Sequence, residues 1–94
     1  MIKNIYAVRD LKATAFLFPH FDASHGEAIR HFGDLVKNTK SPFYAHPEDY
    51  SLFFVGQFDD IEAKVIPLKE QAVYMAQALD FVQKNNEVPI PEVV

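Results

Sequence analysis

The segment HPEDYSLFFVGQFDD, residues 46–60, decides the fold of this 94-residue chain. Its middle is apolar and aromatic, and polar turn residues bracket it at both ends, which predicts a central β-strand. Side chains alternate between the two faces of a strand. One face then carries Tyr50, Leu52, Phe54 and Phe58, and the other carries Phe53 and Val55. Because neither face is polar, helices must cover one and a partner subunit or a ligand must cover the other.

Three further strands are predicted around this central one. Residues 2–8 form the first strand, a turn of about four residues follows, and residues 13–18 return as the second strand of a hairpin. The second strand is also apolar on both sides, with Phe16 and Phe18 opposed to Ala15 and Leu17. A short fourth strand covers residues 63–66 and ends at Pro67, since proline has no amide hydrogen to donate to a ladder.

Two helices complete the pattern. Ser24 and Glu27 have the spacing of a capping box, so a helix begins there and ends before Pro42. Residues 43–45 add a single helical turn. A second amphipathic helix is predicted from Lys69 to Lys84, ended by two asparagines.

The order ββαββα predicts an α+β fold, in which an antiparallel four-stranded sheet carries both helices on one face. The length allows one hydrophobic core, so we expect a single domain over residues 1–86. Residues 87–94 are predicted to form an extended C-terminal tail.

Composition excludes several classes of protein. The chain has no cysteine, which removes disulfides and thiolate metal sites, and no apolar run approaches the roughly 20 residues of a membrane span. We therefore expect an unprocessed protein of a reducing cytoplasm with no membrane partner. The net charge of −4 argues against a strongly basic nucleic-acid binder. Residues 1–40 nevertheless hold six Lys and Arg against four Asp and Glu, so a nucleic acid would meet this part.

No catalytic constellation is visible. The four histidines, His20, His25, His31 and His46, lack the i, i+4 spacing of metal-binding helices, and we expect no metal site. The serines have no elbow or triad signature, and no glycine-rich loop could cradle a phosphate. The sequence therefore predicts a protein that is not an enzyme and has no cofactor. A metal- or nucleotide-dependent enzyme is the weakest hypothesis.

The most informative feature is the aromatic content, nine Phe and four Tyr. Exposed rings stack on the bases of single-stranded nucleic acid while Lys and Arg follow the phosphates. The candidate binding residues are those of the first hairpin and the central strand: Lys3, Tyr6, Arg9, Lys12, Phe16, Phe18 and Phe53. From the residues alone, the favoured alternative is that most of these rings belong to the core or to a dimer interface.

The sequence resembles the small nonstructural protein of gokushoviruses, which are single-stranded DNA bacteriophages of the family Microviridae. The resemblance runs from the strand at Ile5-Tyr6-Ala7 to the helix around residues 78–81, and its most specific part is the segment from His46 to Asp59. The segment 43–45 and the residues beyond Asn86 do not align.

The resemblance implies a nonstructural protein of the infected bacterial cytoplasm that binds DNA or acts in viral DNA replication. The leading hypothesis is a non-enzymatic homodimer or higher oligomer that binds single-stranded DNA through the aromatic second face of the sheet. The alternative is a protein-interaction module that engages the viral replication initiator or a host factor.

Overall fold

The computed structural model describes residues 1–87. In chain order the elements are β1 (Ile2–Asp10), β2 (Ala15–Asp22), α1 (His25–Lys37), α2 (Pro42–Ala45), a 3₁₀ turn (Pro47–Asp49), β3 (Tyr50–Asp59), β4 (Lys64–Pro67), β5 (Val73–Gln77) and α3 (Ala78–Glu87). The predicted α+β class and the antiparallel sheet are confirmed.

Strand β3 is the centre of the sheet. One edge of β3 pairs antiparallel with β1, and β1 pairs in turn with β2. The other edge of β3 pairs with two strands in succession, because β4 lies against residues 56–59 and β5 against residues 51–54. The long, mostly apolar β3 is therefore hydrogen-bonded along both edges, as expected of a buried central strand.

The sheet has five strands, whereas the sequence predicted four. Residues 73–77, predicted as part of a helix from Lys69 to Lys84, form β5, and α3 begins only at Ala78. Gln77 fixes this boundary, since its Oε1 accepts a hydrogen bond from Ser51 Oγ at 2.6 Å and its Nε2 donates to the Pro47 carbonyl at 3.3 Å. Pairing with β3 thus prevails over local helical periodicity.

A β-bulge in β3 changes which residues share a face. Ile5 pairs with Gly56 while Tyr6 pairs with Phe54, so Val55 is an extra residue on β3. A one-residue insertion moves every following side chain to the opposite face. The prediction that Phe58 shares a face with Leu52 and Phe54 is therefore wrong.

Strand β2 is an edge strand that continues through a proline. The sequence predicted that it ends at Phe18, yet pairing resumes with His20 opposite Tyr6 and continues to Asp22 opposite Asn4. A register shift at this point and a positive φ of 52° at Phe18 mark a bulge. Pro19 is tolerated because an edge strand does not need every amide hydrogen.

All three helices pack on one face of the sheet, as predicted for the two main helices. One cluster joins the sheet residues Tyr6, Val8 and Leu52 to residues of each helix. The buried helical members are Ala28, Phe32, Val36, Phe43 and Ala78. We call this side the helical face and the opposite side the open face.

The helix termini follow the capping rules. Ser24 is the N-cap of α1, and its hydroxyl accepts a hydrogen bond from the Glu27 amide at 3.2 Å. Ser41 caps α2 in the same way by accepting from the Tyr44 amide. The single turn predicted over residues 43–45 is present as α2.

Helix α3 extends to Glu87, beyond the end predicted at Asn85-Asn86. Most of the extended tail predicted over residues 87–94 lies outside the described residues.

Two glycines of α1 provide a matched test of the contact between α1 and α3. A Cβ added to Gly33 would lie 2.7 Å from Cε1 of Phe81, whereas a Cβ on Gly26 would have only Ser24 Oγ nearby, at 4.0 Å. Within a helix, alanine in place of glycine stabilises the fold by about 0.5–1 kcal/mol. We expect G26A to leave stability unchanged or raise it. G33A should destabilise the fold by about 1–3 kcal/mol, because the Phe81 ring must move.

Equilibrium urea unfolding of the two variants, followed by circular dichroism, measures both effects. A G33A protein as stable as G26A would contradict the close packing of α3 on α1.

Candidate nucleic-acid interface

Three aromatic rings cross the open face. Phe16 on β2, Phe53 on β3 and Tyr74 on β5 form a continuous line, which we call the aromatic row. The Phe16 and Phe53 ring centroids are 5.4 Å apart, and those of Phe53 and Tyr74 are 5.9 Å apart, both edge to face. Phe16 is 43% exposed and Tyr74 is 54% exposed. A surface of this kind offers π-systems that other planar groups can contact.

Strand register places these rings. Ala7 pairs with Phe53, Arg9 with Phe16, and Phe53 with Tyr74, so all of them face away from the helices. Strand β1 lies between β2 and β3, and neighbouring strands are about 4.8 Å apart. Phe16 and Phe53 therefore meet over β1, where the small side chain of Ala7, only 4% exposed, leaves room for both rings.

A cation lies beside the aromatic row. The Arg9 guanidinium carbon is 5.3 Å from the centroid of the Phe16 ring, within the range of a cation–π contact. A shallow groove of about 450 Å³ runs along this region, lined by Arg9, Leu11, Phe16, Ser51, Phe53, Gln71 and Ala72. The groove combines ring surfaces with one guanidinium group, which can stack on a base and contact a phosphate.

A second aromatic pair lies further along the open face. Phe21 and Phe58 have ring centroids 5.7 Å apart, and Phe21 is 53% exposed. Phe21 pairs with Ile5 and Phe58 with Lys3, which places both rings on the open face. The bulge in β2 brings Phe21 there, and the bulge at Val55 brings Phe58 there.

The structure brings together three of the seven predicted binding residues, namely Arg9, Phe16 and Phe53. Lys12 is exposed in the turn between β1 and β2. It is close to Arg9 in sequence but does not belong to the aromatic row. Lys3 lies at the other end of β1, where its Nζ is 3.7 Å from Asp60 Oδ2. Lys3 therefore already has a carboxylate partner.

Tyr6 and Phe18 are corrections to the predicted set. Tyr6 is fully buried on the helical face, and its hydroxyl is 2.6 Å from His25 Nδ1. Phe18 is 58% exposed, but the bulge turns its ring towards the helices, 5.9 Å from the ring of Phe43. Neither ring can join the aromatic row.

Tyr74 belongs to the row and was missed by the sequence analysis, because residues 69–84 were assigned to a helix. The pair Val73-Tyr74 could have indicated a strand here, because both residue types favour β-structure.

The histidines and carboxylates form two small groups among the described residues. His46, Glu48 and Asp49 place one possible ligand atom each within 4.8 Å of one another, at the 3₁₀ turn. On the helical face, Asp22 is approached by His31 Nδ1 at 2.7 Å and by His20 Nε2 at 3.5 Å.

The fold and the open face define an α+β sheet protein with one helical layer and an aromatic surface that no other part of residues 1–87 covers. Residues 3–81 match the family described as Phage ORF5 protein. The chain therefore belongs to that family of bacteriophage proteins. A search of curated proteins and a search of solved structures each gave no match. Among residues 1–87, no helix is long and apolar enough to cross a membrane.

The buried Tyr6 makes a prediction about alkaline pH. Burial raises the pKa of its hydroxyl; the hydrogen bond from Asn4 opposes this shift and the Asp22 charge adds to it. Below a pH of about 10 the Tyr6 hydroxyl is protonated in both the folded and the unfolded chain. Above that pH it ionises first in the unfolded chain. Stability is therefore expected to fall as the pH rises above 10, and to fall less steeply in Tyr6→Phe.

Thermal melts between pH 8 and pH 11 measure this difference. Burial also raises the pKa of Tyr50, so the double variant Y6F/Y50F should show a still weaker dependence. Equal slopes for wild type and Y6F would show that Tyr6 is not buried as a neutral phenol.

Proposed function

We propose that this phage protein binds single-stranded DNA through the aromatic row of its open face, without catalysis, during replication of the viral genome or synthesis of progeny strands. The observation that carries the proposal is the line of Phe16, Phe53 and Tyr74 with Arg9 at one end. Stacking on aromatic side chains accepts any base, because every base has a π-face.

The exposure of the row supports a ligand on this side of the sheet. The helices cover the opposite face, and the core cluster contains none of the three rings of the row. Two of the rings are more than 40% exposed, and large exposed apolar surfaces commonly mark binding sites.

The charge of the chain limits how the protein can bind DNA. With a net charge of −4, one copy attracts phosphates weakly, so stacking must supply most of the affinity. The proposal therefore includes a homodimer or higher oligomer that presents several rows to one strand, because linked sites gain effective concentration.

The ring variants test the aromatic row. Phe16→Ala and Tyr74→Ala should each weaken binding of a fluorescein-labelled oligonucleotide by about five- to 150-fold, the effect of losing one stacked base. Phe18→Ala is the matched control, since it removes a ring that is more exposed than Phe16, 58% against 43%, from the same strand on the helical side. Fluorescence anisotropy at low salt measures the affinities, and thermal melts check that each variant is folded.

Equal losses in F16A and F18A, or no binding by the wild type at low salt, would contradict the proposed interface.

Arg9 gives a separate electrostatic prediction. If it contacts one phosphate, Arg9→Gln should reduce the slope of log K against log salt by about 0.7, the value for one phosphate of a single strand. Lys40→Gln, a charge change in the turn between α1 and α2, should leave the slope unchanged. An unchanged slope in R9Q would remove Arg9 from the interface.

A second candidate function is interaction with a protein, such as the viral replication initiator or a host factor. Exposed apolar residues at the β3–β4 hairpin favour it, since Ile61 is 79% exposed and Val65 is 69% exposed. A pull-down from infected cells with nuclease treatment separates the two functions. Partners that survive nuclease and disappear in a Val65→Lys variant would favour protein interaction.

A further inference from the structure

A cleft on the helical face contains a carboxylate that lacks a hydrogen-bond donor for one oxygen. The cleft has a volume of about 730 Å³ and lies between β2, α1 and α2. Its walls are apolar, formed by residues that include Phe18, Phe32, Leu35 and Phe43. Its polar groups include His20, Asp22 and His31. Volumes of about 300–1,000 Å³ are typical of ligand pockets.

Asp22 is the group that requires explanation. Its side chain is only 7% exposed, and Oδ2 is fully buried with no hydrogen-bond partner. The other oxygen, Oδ1, accepts a hydrogen bond from His31 Nδ1 at 2.7 Å. Burying an unpartnered carboxylate oxygen is costly, so an oxygen in this position is expected to contact a donor or a cation.

The imidazole of His20, which lies beside Oδ2, supplies no hydrogen bond to it. His20 Nε2 is 3.5 Å away, but His20 Nδ1 is 2.7 Å from the Phe18 carbonyl oxygen. A carbonyl can only accept, so Nδ1 carries the proton, and in a neutral imidazole Nε2 then presents a lone pair. Oδ2 and Nε2 therefore both carry lone pairs, and the two atoms are 3.5 Å apart.

This separation suits a shared metal ion. Zinc bonds to histidine nitrogen and carboxylate oxygen are about 2.0–2.2 Å long, so two ligands of a tetrahedral ion lie about 3.3–3.5 Å apart. Histidines that bind metals usually donate their other ring N–H to a carbonyl or carboxylate, as His20 does to Phe18. His20 and Asp22 are two residues apart on β2, which places both on one face of the strand.

We propose that His20 Nε2 and Asp22 Oδ2 bind a divalent transition-metal ion such as Zn²⁺ in this cleft, with His31 as a positioning residue that holds the carboxylate through Oδ1. Two protein ligands leave further coordination positions for water or an added ligand from the cleft, which both residues line. The mixed imidazole and carboxylate pair favours Zn²⁺ and related ions over Mg²⁺. The site is independent of the aromatic row, which lies on the opposite face.

The sequence predicted no metal site, because the histidines lack the i, i+4 spacing of a metal-binding helix, and it predicted that β2 ends at Phe18. The i, i+2 spacing of a strand becomes relevant only once β2 is seen to continue to Asp22.

Isothermal titration of the metal-free protein with Zn²⁺, and separately with Mg²⁺, tests the proposal. One Zn²⁺ should bind per chain, while Mg²⁺ should give no saturable heat. Asp22→Asn and His20→Gln should abolish Zn²⁺ binding, and His31→Gln should weaken it about 10–100-fold. His46→Gln is the control, because it disrupts the group at the 3₁₀ turn and should leave the affinity unchanged.

A second measurement does not depend on the variants folding. Nitrogen NMR of the wild type should show the His20 Nε2 resonance shifting when Zn²⁺ is added. No zinc binding, loss of binding in H46Q, or a His20 Nε2 resonance that does not respond to bound zinc would each overturn the proposal.

Discussion

The structure depends on a strand that is apolar on both faces but has a helical layer for only one. Leu52 of β3 is fully buried under the helices, in the cluster with Tyr6 and Val8. Burying such a side chain contributes about 1.5–3 kcal/mol, so this face fixes the fold. Phe53, the next residue, points the other way, and its ring contacts the rings of Phe16 and Tyr74. One face of β3 packs into the core, and the alternating side chains of its other face, here an aromatic ring, therefore lie on the open face.

The sequence predicted this division because alternation along a strand is strict until a residue is inserted. Leu52 and Phe53 precede the bulge at Val55, and both were placed correctly. Phe58 follows the bulge and was not. A bulge leaves no mark in the hydrophobic pattern, since it depends on which partner residue lies opposite. The same reason explains Phe18, which lies at the bulge in β2.

The candidate interface was likewise predictable only where alternation along a predicted strand holds. Phe16 and Phe53 followed from alternation, and Arg9 followed from its place on the first hairpin. Tyr74 did not, because apolar residues at 72, 75, 76 and 79 fit a helical stripe as well as they fit β5 followed by a helix. Only the pairing with β3 decides between these two, and pairing between residues about 20 positions apart is not visible in local periodicity.

Pro19 has a consequence for how copies of this chain can associate. Strand β2 forms one outer border of the sheet, and an unpaired border is normally a template on which a foreign strand can add. Here the proline offers no amide hydrogen and the left-handed Phe18 beside it breaks the spacing of the ladder. Fibre-like stacking through this border is therefore discouraged.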